Sequence, residues 1–220
     1  MKHDSKLREI EGLKSLNRVT EPDPRFGHFV VFDEKINRSR PLQLKDRFAV
    51  IAEIKLRPEV PVEIQIHFAT AKNLLLYSWF VYRFIAVAEM HACSTVEMAL
   101  KKITGKKNWY LKRLLEHAVD KGWIVDEGFR RYREILERRR EYAKMVSKVQ
   151  GEQNRESKGR NEYVAILAQT IPSLRNMYAH GSDSIHPGGY DTLEICAEII
   201  NQLPWPASSD TWRSCPSQDV

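Results

Sequence analysis

An arginine, an asparagine and a histidine lie within two helical turns of one another in the last quarter of this 220-residue sequence. They are Arg175, Asn176 and His180, and Gly181 follows directly. An arginine can hold a phosphate through two parallel hydrogen bonds, and a histidine can give or take a proton near neutral pH. Side chains of these types can together cleave a phosphodiester without a metal ion.

The pattern is informative only in its extended form. The chain contains 19 Arg, 7 His and 8 Asn. An Arg followed five positions later by a His is expected about 0.6 times by chance, and the additional Asn lowers that expectation to about 0.02. On a helix, Asn176 and His180 share a face that the long Arg175 side chain can reach. Gly181 suits the left-handed residue that ends a helix, which leaves His180 in the last turn, where the helix dipole favours the imidazolium.

These residues also have a purely structural interpretation. Arg175 can bind a carboxylate, Asn176 can satisfy backbone groups and His180 can cap a helix end, a common role for polar residues there. A zinc site is another alternative, because His180, Asp183 and His186 are spaced three residues apart. That loop offers no fourth ligand, so we predict no metal and no other cofactor.

The order Arg-Asn, three residues, His and Gly, near the end of an all-helical segment, resembles the HEPN superfamily (higher eukaryotes and prokaryotes nucleotide-binding domains). The resemblance covers residues 62 to 205. Residues 94 to 100 resemble an early HEPN helix that carries a Glu followed by Ala-Leu, and residues 111 to 123 resemble its short second helix. The resemblance implies a bundle of four or five helices that forms a homodimer.

The resemblance also implies a reaction. Many HEPN proteins are metal-independent endoribonucleases in which the Arg and His of this motif, from both protomers, line one cleft. It implies catalytic roles for Arg175, Asn176 and His180 and a supporting role for Glu97 as the partner of Arg175. From the chemistry of these side chains, we expect 2′-hydroxyl attack that leaves a 2′,3′-cyclic phosphate. The resemblance suggests toxin action, stress response or defence, with an antitoxin or other regulatory protein as a further partner.

Other members of the superfamily are inactive scaffolds or nucleotide binders. Membership would therefore not settle activity, because one fold can carry several functions. A non-catalytic module for dimerisation, or for nucleotide or RNA binding, is the alternative that the sequence leaves open.

The net charge of +6 is concentrated in the middle of the chain. Residues 101 to 160 contain 18 Lys and Arg against 9 Asp and Glu, whereas the remainder contains 17 against 20. Within this part, residues 127 to 149 have the apolar spacing of an amphipathic helix with a basic outer face. Such a face attracts a phosphate backbone, so we predict RNA binding there. The arginines chosen for this role are Arg138, Arg139 and Arg140. The alternative is a solvated helix whose glutamates offset the arginines.

Composition favours one globular domain with appendages in a reducing, cytoplasmic compartment. The chain is 42% hydrophobic and 10% aromatic, and its three cysteines are too few for a disulfide framework. The first 11 residues are charged and lack the apolar core of a signal peptide. The longest apolar run, residues 74 to 88, contains Arg83 and is shorter than the roughly 20 residues of a membrane helix, so we predict no membrane partner.

The predicted fold is all-α, a bundle of four to five helices with a small N-terminal extended or β appendage. The predicted domains are an arm with short strands over residues 1 to 60, a HEPN-like bundle over 61 to 205 and a flexible tail over 206 to 220. Strands are expected over 28 to 33, 47 to 56 and 62 to 68, although the last segment could equally open the first helix.

The helices of the bundle are expected between glycines and polar linkers. Their predicted ranges are residues 72 to 103, 109 to 121, 127 to 149, 161 to 180 and 190 to 203, with linkers over 151 to 160 and 182 to 189. Pro172 is expected to kink or split the fourth helix. A split would place Arg175 near a helix N-terminus, which is itself an anion site.

Overall fold

The structure, a computed structural model, describes residues 11 to 150, 161 to 181 and 189 to 206. Seven α-helices and one two-stranded sheet lie within these ranges. The helices are α1 (Leu44–Glu53), α2 (Val62–Tyr77), α3 (Phe84–Thr104), α4 (Leu111–Asp120), α5 (Arg130–Gln150), α6 (Glu162–Ala179) and α7 (Gly189–Gln202). The prediction of a mostly helical fold with a small N-terminal β appendage is confirmed.

The appendage is an antiparallel hairpin of β1 (Val30–Asp33) and β2 (Arg38–Pro41). Its register places Val30 opposite Pro41 and Asp33 opposite Arg38. The strand predicted over residues 28 to 33 is therefore confirmed in its main part. The linkers at 151 to 160 and 182 to 188 and the tail beyond residue 206 lie outside the described residues.

The strand predicted over residues 47 to 56 is wrong, because most of this segment belongs to α1. Reciprocal hydrogen bonds start the helix: the Asp46 N–H donates to the Gln43 carbonyl at 3.0 Å, and the Asp46 carboxylate accepts from the Gln43 N–H at 2.9 Å. Arg47 and Ile51, four residues apart, form its buried face. The β-branched and aromatic residues that suggested a strand include Phe48 and Val50, both exposed.

For residues 62 to 68, the helical alternative is confirmed. The buried residues of α2 are Ile64, Phe68, Ala71 and Leu75. Their spacings of four, three and four are helical and continue past the alternating segment. Val62 and Ile66, which completed the alternation, are exposed.

The long helix predicted over residues 72 to 103 is interrupted between α2 and α3. Asp23 of the N-terminal arm forms hydrogen bonds with backbone groups between these two helices. Its N–H donates to the Trp79 carbonyl at 2.7 Å, and its carboxylate accepts from the Tyr82 N–H at 3.3 Å. Two backbone groups thus find partners outside the helix.

One hydrophobic core joins the described N-terminal residues to the bundle. Phe26 and Ile51 belong to the same buried cluster as the residues of α2, α3, α6 and α7. α3 lies at the centre and packs against α2, α4, α6 and α7. Its buried Ala88, Ala92 and Ala99 are small enough for those helices to approach closely.

The motif lies near the end of α6, which matches the predicted fourth helix. A remote cap holds its first turn, because the buried Asp126 carboxylate accepts hydrogen bonds from the N–H groups of Val164 at 2.9 Å and Tyr163 at 3.4 Å. The helix continues through Pro172, so it is not split, and Arg175 lies in its C-terminal half. Gly181 has a φ of 81°, the left-handed conformation predicted for the residue that ends the helix.

The basic helix α5 begins three residues later than predicted, after a short 3-10 turn over Asp126–Gly128. Its first residues are tied to α7, since Arg130 Nε donates to a carboxylate oxygen of Glu194 at 2.6 Å. Between residues 137 and 145, only Ala143 is partly covered. Among the described residues, no helix is both long enough and apolar enough to cross a bilayer.

Candidate functional site

A groove of about 540 Å³ lies between α3, the loop before α4 and α6. Its lining is mostly polar and includes two aromatic side chains. The lining residues are Glu97, Lys101, Lys107, Asn108, Trp109, Tyr110, Leu111, Lys112, Pro172, Arg175 and Asn176. Three of the four residues that the sequence analysis assigned to the reaction, including the supporting glutamate, are among them.

Arg175 reaches the groove from α6 and has two polar neighbours. Its Nη1 donates to Asn176 Oδ1 at 3.2 Å, and its Nη2 lies 3.8 Å from Glu97 Oε2. The other oxygen of Glu97 lies 2.7 Å from Lys101 Nζ, one helical turn further along α3. The side chain of Arg175 is 39% exposed. Because a long, partly exposed ion pair contributes little free energy, an incoming phosphate can compete with Glu97 for the guanidinium.

The charge of the groove favours an anion. One carboxylate, that of Glu97, faces four cationic side chains among the lining residues. The four are Lys101, Lys107, Lys112 and Arg175. A cleft lined mainly by one sign of charge concentrates ligands of the opposite sign.

His180 lies at the end of the same helix, outside the residues that line the groove in one copy of the chain. Its N–H closes the last turn by donating to the Asn176 carbonyl at 3.0 Å, and its side chain is exposed. The structure therefore brings Glu97, Arg175 and Asn176 together and leaves His180 one turn beyond them.

The exposed face of α6 carries His180 together with apolar side chains. Ile166, Ser173 and Met177 are also exposed. Ser173, Met177 and His180 lie seven, eleven and fourteen residues after Ile166, so the four side chains lie on one stripe of the helix. Ile166 is 58% exposed and Met177 is 40% exposed. Apolar side chains on an exposed stripe are available for contact with another protein surface.

Tyr178, inside the motif, points the other way and anchors α6 to the core. Its hydroxyl donates to Glu89 Oε2 at 2.6 Å, and Thr192 of α7 donates to Glu89 Oε1 at the same distance. Burial and the bond to Glu89 raise the pKa of Tyr178 well above its ordinary value. The sequence analysis missed this anchor, although an acidic residue within the apolar part of α3 was a usable signal.

Arg138, Arg139 and Arg140 lie on α5 and are not among the residues that line this groove. All three are exposed. Within the described ranges, their guanidinium groups form no hydrogen bond or ion pair, whereas Glu134 is paired with Arg130 at 2.7 Å. The glutamates of α5 therefore do not neutralise these three arginines by direct contact.

A smaller groove of about 330 Å³ between α5 and α7 includes Arg138. Its charged lining residues are Arg130, Arg131, Arg138, Glu134, Asp191, Glu194 and Glu198. Arg130 and Arg131 are paired with Glu194 and Asp191 across it. The balance of three arginines against four acids makes this groove unsuitable for a phosphate.

In the part of the chain that the structure describes, no three His, Cys, Asp or Glu side chains are grouped so as to hold a metal ion. Asp183 and His186 of the zinc alternative lie outside the described residues. No family model, no curated protein and no solved structure matches the chain.

Proposed function

We propose that this chain is a metal-independent endoribonuclease of the HEPN type that acts as a homodimer. The observation that carries the proposal is the groove in which the partly exposed Arg175 lies together with three lysines. The exposure of Asn176 and His180 on the same helix supports it further, since both remain accessible to a ligand. Arg138, Arg139 and Arg140 would add a second, weaker contact with the RNA backbone.

The reaction that fits these side chains is transfer of the phosphoryl group within RNA. The ribose 2′-oxygen forms a bond to phosphorus while the bond to the 5′-oxygen breaks, which leaves a 2′,3′-cyclic phosphate and a 5′-hydroxyl. One imidazole takes the proton of the 2′-hydroxyl, and an imidazolium gives a proton to the departing 5′-oxygen. Arg175 stabilises the charge that gathers on the phosphorane oxygens, and Asn176 orients the phosphate or the imidazole.

This reaction needs two proton carriers, and the motif supplies one His per chain. A twofold dimer supplies the second, because the same patch of each subunit meets at such an axis. We place the axis at the exposed stripe of α6, where Ile166 and Met177 would be covered and His180 would approach the groove of the partner. DNA would resist cleavage because it lacks the 2′-hydroxyl.

The biological setting that we propose is toxin action or defence within the cytoplasm, with an antitoxin or other regulatory protein as a partner. The low cysteine content fits a reducing compartment. A second function is favoured by one observation, namely that His180 does not line the groove in one copy. It is a non-catalytic module that dimerises or that binds a nucleotide or RNA in the groove.

Cleavage of end-labelled RNA in EDTA separates the two functions. The parent should cut, and His180→Ala and Arg175→Ala should each lose at least about a hundredfold in rate, because each removes a group acting in the transition state. His28→Ala and Arg38→Ala, at exposed positions of the N-terminal part, are matched controls that should cut like the parent. Parent protein that binds RNA but leaves it intact would support the binding module instead.

A further inference from the structure

We propose that Tyr110 is a stacking platform for a nucleobase, so that the groove takes an unpaired base of single-stranded RNA. The proposal rests on the proposed function, because it assumes that the ligand of the groove is RNA. It adds the form of the RNA and the residue that recognises it.

Within the described part of the chain, no contact of the Tyr110 side chain explains its position. It is the residue directly before α4, and its side chain makes no capping hydrogen bond. Its 84% exposure leaves the ring in water, and no aromatic or cationic group of the described residues contacts it. An aromatic ring held in water forgoes the free energy of burying its large apolar surface, and a ligand base that covers it would recover that free energy.

The backbone around Tyr110 is fixed by its neighbours. The Leu114 N–H donates to the Tyr110 carbonyl at 3.1 Å, and the Trp109 N–H donates to the Lys106 carbonyl at 3.3 Å. The Trp109 ring is held by Arg113, whose guanidinium carbon lies 3.9 Å from the ring centroid, and meets the His117 ring edge-on at 5.4 Å. Trp109 is thus engaged with the protein, while Tyr110 projects from an ordered loop.

Cationic side chains line the same groove as Tyr110. Lys107 and Lys112 flank Tyr110 in sequence, and Arg175 and Lys101 line the same groove. Proteins that bind single strands combine such a basic groove with aromatic rings on which bases stack. The volume of about 540 Å³ falls within the range of pockets that hold small ligands, so the groove is large enough for a nucleotide.

The geometry favours a single strand over a duplex. In an RNA duplex the bases are stacked on one another and their edges lie in grooves, so no base face is available to a tyrosine ring. Unpaired bases can be splayed out and stacked on an aromatic side chain. The platform therefore selects loops, bulges or unpaired strands.

Binding of a 12-nucleotide unstructured RNA that carries 2-aminopurine tests the platform. Measurements use the His180→Ala background, so that cleavage of the probe cannot complicate them, and the same strand annealed to its complement serves as the duplex probe. Tyr110→Ala should weaken single-strand binding about tenfold, since one stacked base contributes about 1–3 kcal/mol. Tyr110→Phe should bind within twofold of the background protein, as should Tyr77→Ala, a control at a tyrosine of α2 that is 54% exposed.

The fluorescence of 2-aminopurine reports stacking directly. Binding to the proteins with Tyr or Phe at position 110 should quench the fluorescence, whereas binding to the Ala variant should not. The duplex should bind to all three proteins with equal affinity. Equal single-strand affinity of Tyr110→Ala and its background would overturn the platform, and it would favour a protein partner as the occupant of the loop.

The two proposals fail separately in these measurements. If quenching depends on Tyr110 but the parent protein does not cut RNA, the stacking role of Tyr110 stands and the nuclease proposal is overturned. Cleavage by the parent with no effect of Tyr110→Ala on binding would keep the nuclease and overturn the platform. A protein that binds neither probe would overturn both.

Discussion

Among the described residues, Arg175 has one carboxylate neighbour, that of Glu97, and Lys101 contacts the same carboxylate. Glu97 lies between Arg175 and Lys101, at 3.8 Å from the first and 2.7 Å from the second. Such an arrangement orients a guanidinium without neutralising the groove, because three further cations line it. At the scale of the residue, Glu97 is therefore a positioning group and an electrostatic competitor of the phosphate at once.

The variant Glu97→Gln separates these two effects. Removal of the negative charge should tighten RNA binding about two- to fivefold at low salt, whereas loss of the orienting contact should lower the cleavage rate at saturating RNA about tenfold. Single-turnover kinetics measure both. Glu53→Gln makes the same charge change on α1, at a side chain that is 79% exposed, and should alter neither quantity. Parallel losses of binding and cleavage in Glu97→Gln would contradict the assignment.

Tyr178 gives a prediction about stability. Tyr178→Phe should lower the free energy of unfolding by about 1.5–3 kcal/mol, because it removes a hydrogen bond to the buried carboxylate of Glu89. Urea denaturation at pH 7 measures this change. Tyr142→Phe, at a tyrosine of α5 that is 65% exposed, is the control and should unfold like the parent. If the two variants unfold alike, the bond to Glu89 does not stabilise the fold.

The same tyrosine predicts a pH dependence. Its pKa is raised in the folded protein, so the unfolded chain loses the proton first as the pH rises past about 10. The stabilisation by Tyr178 is complete below that pH and is lost as the pH rises toward the folded-state value. Alkaline unfolding should consequently be less steep in Tyr178→Phe than in the parent.

Residue types alone predicted part of the candidate site. Arg175, Asn176 and His180 could be singled out because their spacing is local and their chemistry is distinctive. The anchor of Tyr178 on Glu89 could not, because it joins residues 89 positions apart and depends on the packing of α6 against α3. Tyr110 was missed because only a structure separates an exposed ring from a buried one.

At the level of the element, α5 presents three arginines, Arg138, Arg139 and Arg140, whose guanidinium groups form no hydrogen bond or ion pair among the described residues. Replacement of Arg138, Arg139 and Arg140 by Gln should leave the melting temperature unchanged and reduce the slope of log affinity against log salt by about 2 for single-stranded RNA, since each phosphate contact contributes about 0.7. Titrations at several salt concentrations measure the slope. The matched triple variant Lys35→Gln, Arg38→Gln and Lys45→Gln changes exposed cations of the N-terminal part and should keep the parent slope. An unchanged slope in the α5 variant would support the solvated-helix interpretation.

Local sequence patterns predicted the ends of some helices correctly but did not predict the break between α2 and α3. Gly105 and Gly122, which follow α3 and α4, both have a φ of 67°, so the prediction that these helices end at glycines is confirmed. The interruption between α2 and α3 was not predicted, because two backbone groups that it frees find their partner in Asp23, more than 50 residues earlier. The alternation from Val62 to Phe68 favoured a strand only because two exposed apolar residues, Val62 and Ile66, lie off the buried face of a helix.

For the whole molecule, the proposed reaction requires two copies that meet along α6. Met177→Glu places a charge on the proposed interface and should convert the dimer to a monomer with loss of cleavage. Light scattering measures this change as a fall from twice the 25.7 kDa of one chain to that mass. Ile66→Glu, on the exposed face of α2, is the matched control and should remain dimeric. A dimer broken by Ile66→Glu alone would move the axis to α2 and separate His180 from the shared groove.

The chemistry of the cut ends shows whether Arg175 and His180 carry out the proposed cleavage. RNA incubated with the parent protein in EDTA should yield fragments whose mass shows a 2′,3′-cyclic phosphate, and a single 2′-deoxy substitution at the cleaved nucleotide should block the cut there. His180→Ala should yield no fragments under the same conditions. Fragments with a 5′-phosphate and a 3′-hydroxyl, equal cutting of the 2′-deoxy strand, or cutting that EDTA abolishes would contradict the mechanism built on Arg175 and His180.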